Sequence, residues 1–141
     1  MRFMVIVKAT AESEREVVPE DQEAMAAMGR FNEELVKAGV MLSGEGLHPS
    51  TKGARITFGA GGKRTVVDGP FAETKELIAG FWILQTKTRE ECVEWMKRAP
   101  FEPGSTLEIR QIAEAEDFAA IDPSGEIRDQ EKRLRDTLAS R

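Results

Sequence analysis

Ile78-Ala79-Gly80-Phe81-Trp82-Ile83-Leu84 and Arg2-Phe3-Met4-Val5-Ile6-Val7-Lys8 are the two stretches on which the fold turns. Successive side chains of a β-strand point to opposite faces, so a strand with one wet face alternates apolar and polar residues. Neither stretch alternates. Both are apolar at consecutive positions, as expected of strands whose two faces are both covered.

Between them, Pro19-Glu20-Asp21 places a proline and two acids where a helix opens, and the helical pattern stops at Gly39. Ala24, Met28, Phe31, Leu35 and Ala38 recur at spacings of 4, 3, 4 and 3 and predict one apolar face. Residues 40–47 read as a strand interrupted by Gly44 and Gly46 and ended by His48-Pro49-Ser50. Arg55-Ile56-Thr57-Phe58 and Arg64-Thr65-Val66-Val67, separated by a glycine-rich link, predict a hairpin, and Asp68-Gly69-Pro70-Phe71 forces a turn. Beyond residue 84, Thr88 and Glu91 form a capping box in which each side chain meets the other's free backbone donor. Cys92, Trp95, Met96 and Ala99 supply that helix's buried stripe, Pro100 and Pro103 end it, and residues 105–112 alternate as a last strand.

The order is strand, helix, strand, inserted hairpin, strand, helix, strand. Without the hairpin this is the α+β ferredoxin-like βαβ-βαβ layout over residues 1–112, with two helices on one face of an antiparallel sheet. Residues 113–141 form a charged extension with eight acids and five bases, a turn at Asp122-Pro123-Ser124-Gly125 and a predicted helix from Glu126. Helices on one side leave the second face of the doubly apolar strands wet, and a second copy of the same sheet is the simplest cover. A two-fold homodimer with facing sheets is therefore expected, with the extension available to clasp the mate or a protein partner.

Composition narrows the function classes. The chain has 141 residues, 20 Lys+Arg, 25 Asp+Glu and a net charge of −5. This acidity disfavours nucleic-acid binding, which needs a dense cationic patch. One cysteine and one histidine are too few for an internal disulfide or a Cys/His zinc site, and no metal or cofactor is expected. The first apolar run is too short for a secretory signal, and none approaches the roughly 20 residues of a membrane helix. No membrane association and a cytoplasmic location follow as expectations.

Gly59-Ala60-Gly61-Gly62-Lys63-Arg64 lacks the spacing, the Ser or Thr after the lysine and the following helix of a phosphate loop, and reads as a turn. His48 is the lone imidazole, at a strand end, where it is either a solvated loop residue or an acid–base group. Asp68 either holds the Asp-Gly-Pro turn or orients His48. Glu73 and Lys75, two residues apart, are either loop charges or a mixed-charge site. Phe71 and Trp82 would give such a cleft its apolar walls, although tryptophans at these spacings suit a core as well. Cys92, on an apolar stripe beside Trp95 and Met96, is expected to be a buried, inert thiol.

Val66-Val67-Asp68-Gly69-Pro70-Phe71-Ala72-Glu73-Thr74-Lys75-Glu76, followed by Gly80-Phe81-Trp82-Ile83-Leu84, resembles the DGPF-domain branch of the YCII-related family. The resemblance extends over residues 1–7, the helix around Phe31-Asn32-Glu33-Glu34-Leu35, the Leu47-His48-Pro49-Ser50 turn and Leu107-Glu108-Ile109-Arg110, so it covers residues 1–112 and leaves the extension outside. It implies a ferredoxin-like protomer within a dimeric α+β barrel, and a family largely without an established reaction, some members of which look like companions of alternative sigma factors. The YCII branch proper draws a histidine for its His–Asp pair from the first helix. This chain has none there, so Asp68 carries over and His48 would have to substitute.

Two expectations follow. One is a small-molecule site of Asp68, His48, Glu73 and Lys75 with Phe71 and Trp82, either purely binding or performing cofactor-free acid–base chemistry, in which Asp68 or His48 is the base and Lys75 stabilises negative charge. The other is a non-catalytic regulatory or interaction protein that engages a partner through the extension.

Overall fold

The computed structural model describes every residue from Met1 to Arg141. Two compact units, Met1–Gln111 and Ile112–Arg141, divide the chain.

The first unit holds six strands and two α-helices: β1 (Arg2–Lys8), α1 (Gln22–Lys37), β2 (Met41–Gly46), β3 (Ala54–Phe58), β4 (Arg64–Asp68), β5 (Ile78–Gln85), α2 (Arg89–Met96) and β6 (Leu107–Gln111). Four strands make one sheet in the order β2-β5-β1-β6, with every neighbour antiparallel. With the separate β3–β4 hairpin set aside, this is the ferredoxin-like order. The two central strands are the two consecutively apolar stretches.

Register decides what each face does. Phe3 lies opposite Leu84 and Val5 opposite Trp82, and these four are buried under Phe31 and Leu35 of α1 and Cys92 and Met96 of α2. Leu107 and Ile109 of β6 pack against the same cluster. The other face carries Met4 opposite Ile83 and Ile6 opposite Phe81, all only half-buried. Across this face the rows read Ser43-Ile83-Met4-Arg110 and Glu45-Phe81-Ile6-Glu108, an apolar quartet between polar edges.

Details of the helices depart from the sequence expectation. Ala24 and Ala38, placed on the apolar face of α1 by spacing, are exposed, because they lie at the helix ends beyond the packed part. Gly39 ends α1 with φ +71°, and the Val40 amide donates back to the Leu35 carbonyl while Gly39 donates to Val36. This is a Schellman closure, and burial of both Val40 and Leu35 supplies its hydrophobic contact. At α2 the Thr88 hydroxyl accepts the Glu91 amide at 3.1 Å, but the Glu91 carboxylate reaches one residue further back, to the Lys87 amide at 3.0 Å.

The second unit contains a 3₁₀ segment, Ala115–Ile121, and α3 (Glu126–Ala139). The buried Asp122 carboxylate accepts the Ile127 and Arg128 amides and the Arg128 guanidinium, which satisfies donors in the first turn of α3. Ile127, Leu134 and Leu138 lie along one side of α3 and are exposed. No helix is long and apolar enough to cross a membrane.

Candidate functional site

β2 ends in Leu47-His48-Pro49, and the chain then makes a one-turn 3₁₀ helix, Ser50–Lys52, before entering the hairpin. Ser50 ties three distant segments together. Its amide and hydroxyl both donate to the Glu14 carboxylate, and its hydroxyl oxygen accepts the Phe71 amide at 3.2 Å. Gly69 donates to the Gly53 carbonyl at 3.0 Å, and a Cβ on Gly69 would collide with the Ser50 carbonyl oxygen. The Asp68-Gly69-Pro70-Phe71 turn, with its cis Gly69–Pro70 peptide, is thus moored to the Ser50 turn.

A cleft of about 440 Å³ opens beside this mooring. His48, Lys52, Arg55 and Glu76 bring charge or hydrogen-bonding capacity to it, and Phe71, Leu77 and Ile78 give it apolar wall. The Arg55 guanidinium lies 3.9 Å from the centre of the Phe71 ring, a cation–π contact that fixes both side chains at the mouth. Glu14 also lines the cleft, but its carboxylate is already engaged by Ser50, so the groups left for a ligand are mainly cationic. An imidazole beside two cations suits an anionic ligand, and the imidazole can both donate and accept a proton. No three His, Cys, Asp or Glu side chains converge anywhere to hold a metal ion.

Of the residues singled out from sequence, His48 and Phe71 share this cleft. Asp68 does not line it. Asp68 pairs with Ala54 at the foot of the hairpin, so its side chain shares a face with Ile56 and Val66, whereas Arg55 lies on the opposite face. Glu73 and Lys75 are exposed in the loop before β5, and their neighbour Glu76 lines the cleft instead. Trp82 belongs to the core at 5% exposure, its indole N–H donating to Asn32 Oδ1 at 2.9 Å and its ring meeting Phe31 and Phe101 edge-on. It also borders a second cleft of about 300 Å³, with Met28, Asn32, Glu45 and Phe101. Sequence reasoning missed Glu14, Lys52 and Arg55. The alternation of Arg55 with Ile56 in a strand was visible, but nothing in the spacing joins residues 14, 50 and 71.

One thiol and one carboxyl group outside the cleft are shifted far from their ordinary values. Burial, with Glu91 adding to it, pushes the Cys92 thiol up to about 11, as an inert core cysteine requires. Asp21, before α1, is held down at about 2 by hydrogen bonds from Arg15 and from the Val18 amide.

The sheet order and the lateral cleft define a ferredoxin-like α+β protein with an inserted hairpin. The chain belongs to the YCII-related family, whose domain model matches residues 1–116. An uncharacterised protein of Rhizobium meliloti is 31% identical over 96 residues, spanning 67% of this chain and 77% of its own. The solved 5-chloro-2-hydroxyhydroquinone dehydrochlorinase of Burkholderia phenoliruptrix, in complex with 2,5-dihydroxybenzoquinone, is similar at 16% identity and TM-score 0.41, covering 83% of this chain and 99% of that one.

Proposed function

We propose that this YCII-related protein binds a small organic anion in the cleft beside His48, as a two-fold dimer, and that it falls in the branch whose signature is Asp68-Gly69-Pro70-Phe71. The observation that carries the reading is the convergence of His48, Lys52 and Arg55 on one apolar-walled cleft of about 440 Å³, a volume in the range of small-molecule sites. Lys52 and Arg55 supply the charge that orients the anion, and Phe71 supplies a flat wall held in place by Arg55. In a cofactor-free reaction His48 exchanges the proton, and the two cations stabilise the developing negative charge. Asp68 then acts through the turn it opens, at the cleft's rim, and Glu73 and Lys75 contribute at longer range.

Nuclear magnetic resonance titration with benzoate and with succinate tests this. Chemical-shift changes are expected at His48, Lys52 and Arg55, and Arg55→Ala should weaken binding about tenfold, as loss of a charge-assisted contact does. Asp68→Asn should weaken it less. Shift changes confined to residues outside the cleft would overturn the reading.

A second reading, a regulatory protein such as a companion of an alternative sigma factor, is favoured by α3, which buries none of its residues and exposes Ile127, Leu134 and Leu138 on one side. Leu134→Asp would then abolish partner binding and leave the benzoate titration unchanged.

A further inference from the structure

The β3–β4 hairpin is the least covered element of the first unit. All ten of its strand residues are exposed, including Ile56 at 58%, Phe58 at 72% and Val66 at 63%. Pairing places Ile56 directly opposite Val66 and Phe58 opposite Arg64, so these side chains share one face. An isolated two-stranded ribbon is marginal in water, and a lasting apolar face on it calls for a cover.

The hairpin is also basic. No acid lies between residues 51 and 67, in a chain whose net charge is −5, and beyond the Lys52 and Arg55 that line the cleft, Lys63 and Arg64 bring two cations to the tip. The complementary surface is on the same chain. Residues 12–25 carry Glu12, Glu14, Glu16, Glu20, Asp21 and Glu23 against Arg15 alone, and leave Val17, Val18 and Met25 exposed. Both segments therefore leave apolar side chains exposed and are opposite in charge, with Glu14 and Asp21 already engaged by Ser50 and Arg15.

A hairpin cannot bring its own tip to that patch's anchored end. Glu14 is tied to Ser50 at the hairpin's foot, while Phe58 and Arg64 at the tip lie four ladder steps from Ala54, roughly 14 Å away along a straight strand. Complementary segments of which the hairpin tip and the Glu14 end lie apart suit a two-fold interface, since each copy offers both halves and the contact is made twice.

We propose that the β3–β4 hairpin is a docking arm for a second copy of this chain: its Ile56, Phe58 and Val66 face, with Lys63 and Arg64 at the tip, rests on residues 12–25 of that copy. The contact adds to that of the facing sheets within one dimer, and it does not depend on the cleft binding a ligand.

Sedimentation equilibrium of the full-length protein reads it, with two paired charge reversals at exposed positions. Lys63→Glu with Arg64→Glu, and Glu16→Lys with Glu20→Lys, should each raise the dimer dissociation constant at least about tenfold. An equimolar mixture of the two variants should form a heterodimer, because opposite charges again meet across at least one arm. The wild-type dimer should weaken as salt rises. Far-ultraviolet circular dichroism confirms that each variant keeps its helices. A wild-type monomer at micromolar concentration, reversals that associate as tightly as wild type, or a mixture that does not recover affinity would each overturn the proposal. The second of these outcomes would leave a dimer held by the sheets alone.

Discussion

Gly69 has no room for a side chain, because a Cβ there would occupy the place of the Ser50 carbonyl oxygen. Gly69→Ala must therefore push the Asp68–Phe71 turn away from Ser50, and overpacking of this kind costs roughly 1–3 kcal/mol. Chemical denaturation should show a lower midpoint for Gly69→Ala, and the cleft beside His48 should lose ligand affinity along with it. Ser50→Ala removes the acceptor of the Phe71 amide and the hydroxyl donor to the Glu14 carboxylate, so it should act in the same direction. Cys92 gives a second prediction at this scale. With its thiol pushed up to about 11 by burial, it should be silent to a disulfide reagent at neutral pH in the folded protein and react fully on unfolding. The core role of Cys92 was legible from its apolar stripe. The role of Ser50 was not, because the contacts that define it join residues 36 and 21 positions apart, and no local pattern records them.

At the scale of elements, α3 depends on a carboxylate outside the helix. Burial alone would raise Asp122, but hydrogen bonds from the Arg128 and Ile127 amides and the Arg128 side chain outweigh it and hold the group below its ordinary value of 3.8. A folded-state value lowered in this way adds stability that is fully present above 3.8 and is lost as pH falls through the lower, folded value. The helical signal of α3 should accordingly stay flat from neutral pH down to the ordinary carboxylate range and decline below it, whereas Asp122→Ala should fray the first turn at every pH. Far-ultraviolet circular dichroism with an acid titration distinguishes the two. The turn at Asp122-Pro123-Ser124-Gly125 and the helix after it were readable because their signals are local. Strands β1 and β5, read as apolar on both faces, have that pattern in the structure. The 3₁₀ segment Ala115–Ile121 was not readable, since seven residues without a repeat carry no period to detect. The hairpin's ladder was also legible, but the placement of Asp68 on the face opposite Arg55 depends on the Ala54–Asp68 register, which the alternation did not include.

For the whole molecule, the decisive surface is the sheet face away from the helices. Its central quartet, Met4, Ile6, Phe81 and Ile83, is apolar and half-buried, and it is framed by Ser43 and Glu45 on one edge strand and Glu108 and Arg110 on the other. An apolar centre within a polar rim is the anatomy of a specific interface, in which the centre supplies most of the energy. If two copies face each other here, Phe81→Glu brings a carboxylate into the dry centre twice, once from each copy, with no cation in the quartet to meet it. The same substitution in a lone protomer is mild, because Phe81 is already partly wet and its neighbours on the helix side are untouched. The dimer should therefore fail while the fold survives. Wild-type protein should sediment at twice 15.7 kDa at micromolar concentration and Phe81→Glu at 15.7 kDa, with matching helical signals. The melting temperature of wild type should also rise with protein concentration, as mass action demands of a folded dimer, and that dependence should vanish in the variant. A variant that still sediments as a dimer would assign association to the hairpin arm instead, and a wild-type protein that sediments at 15.7 kDa would remove both interfaces at once.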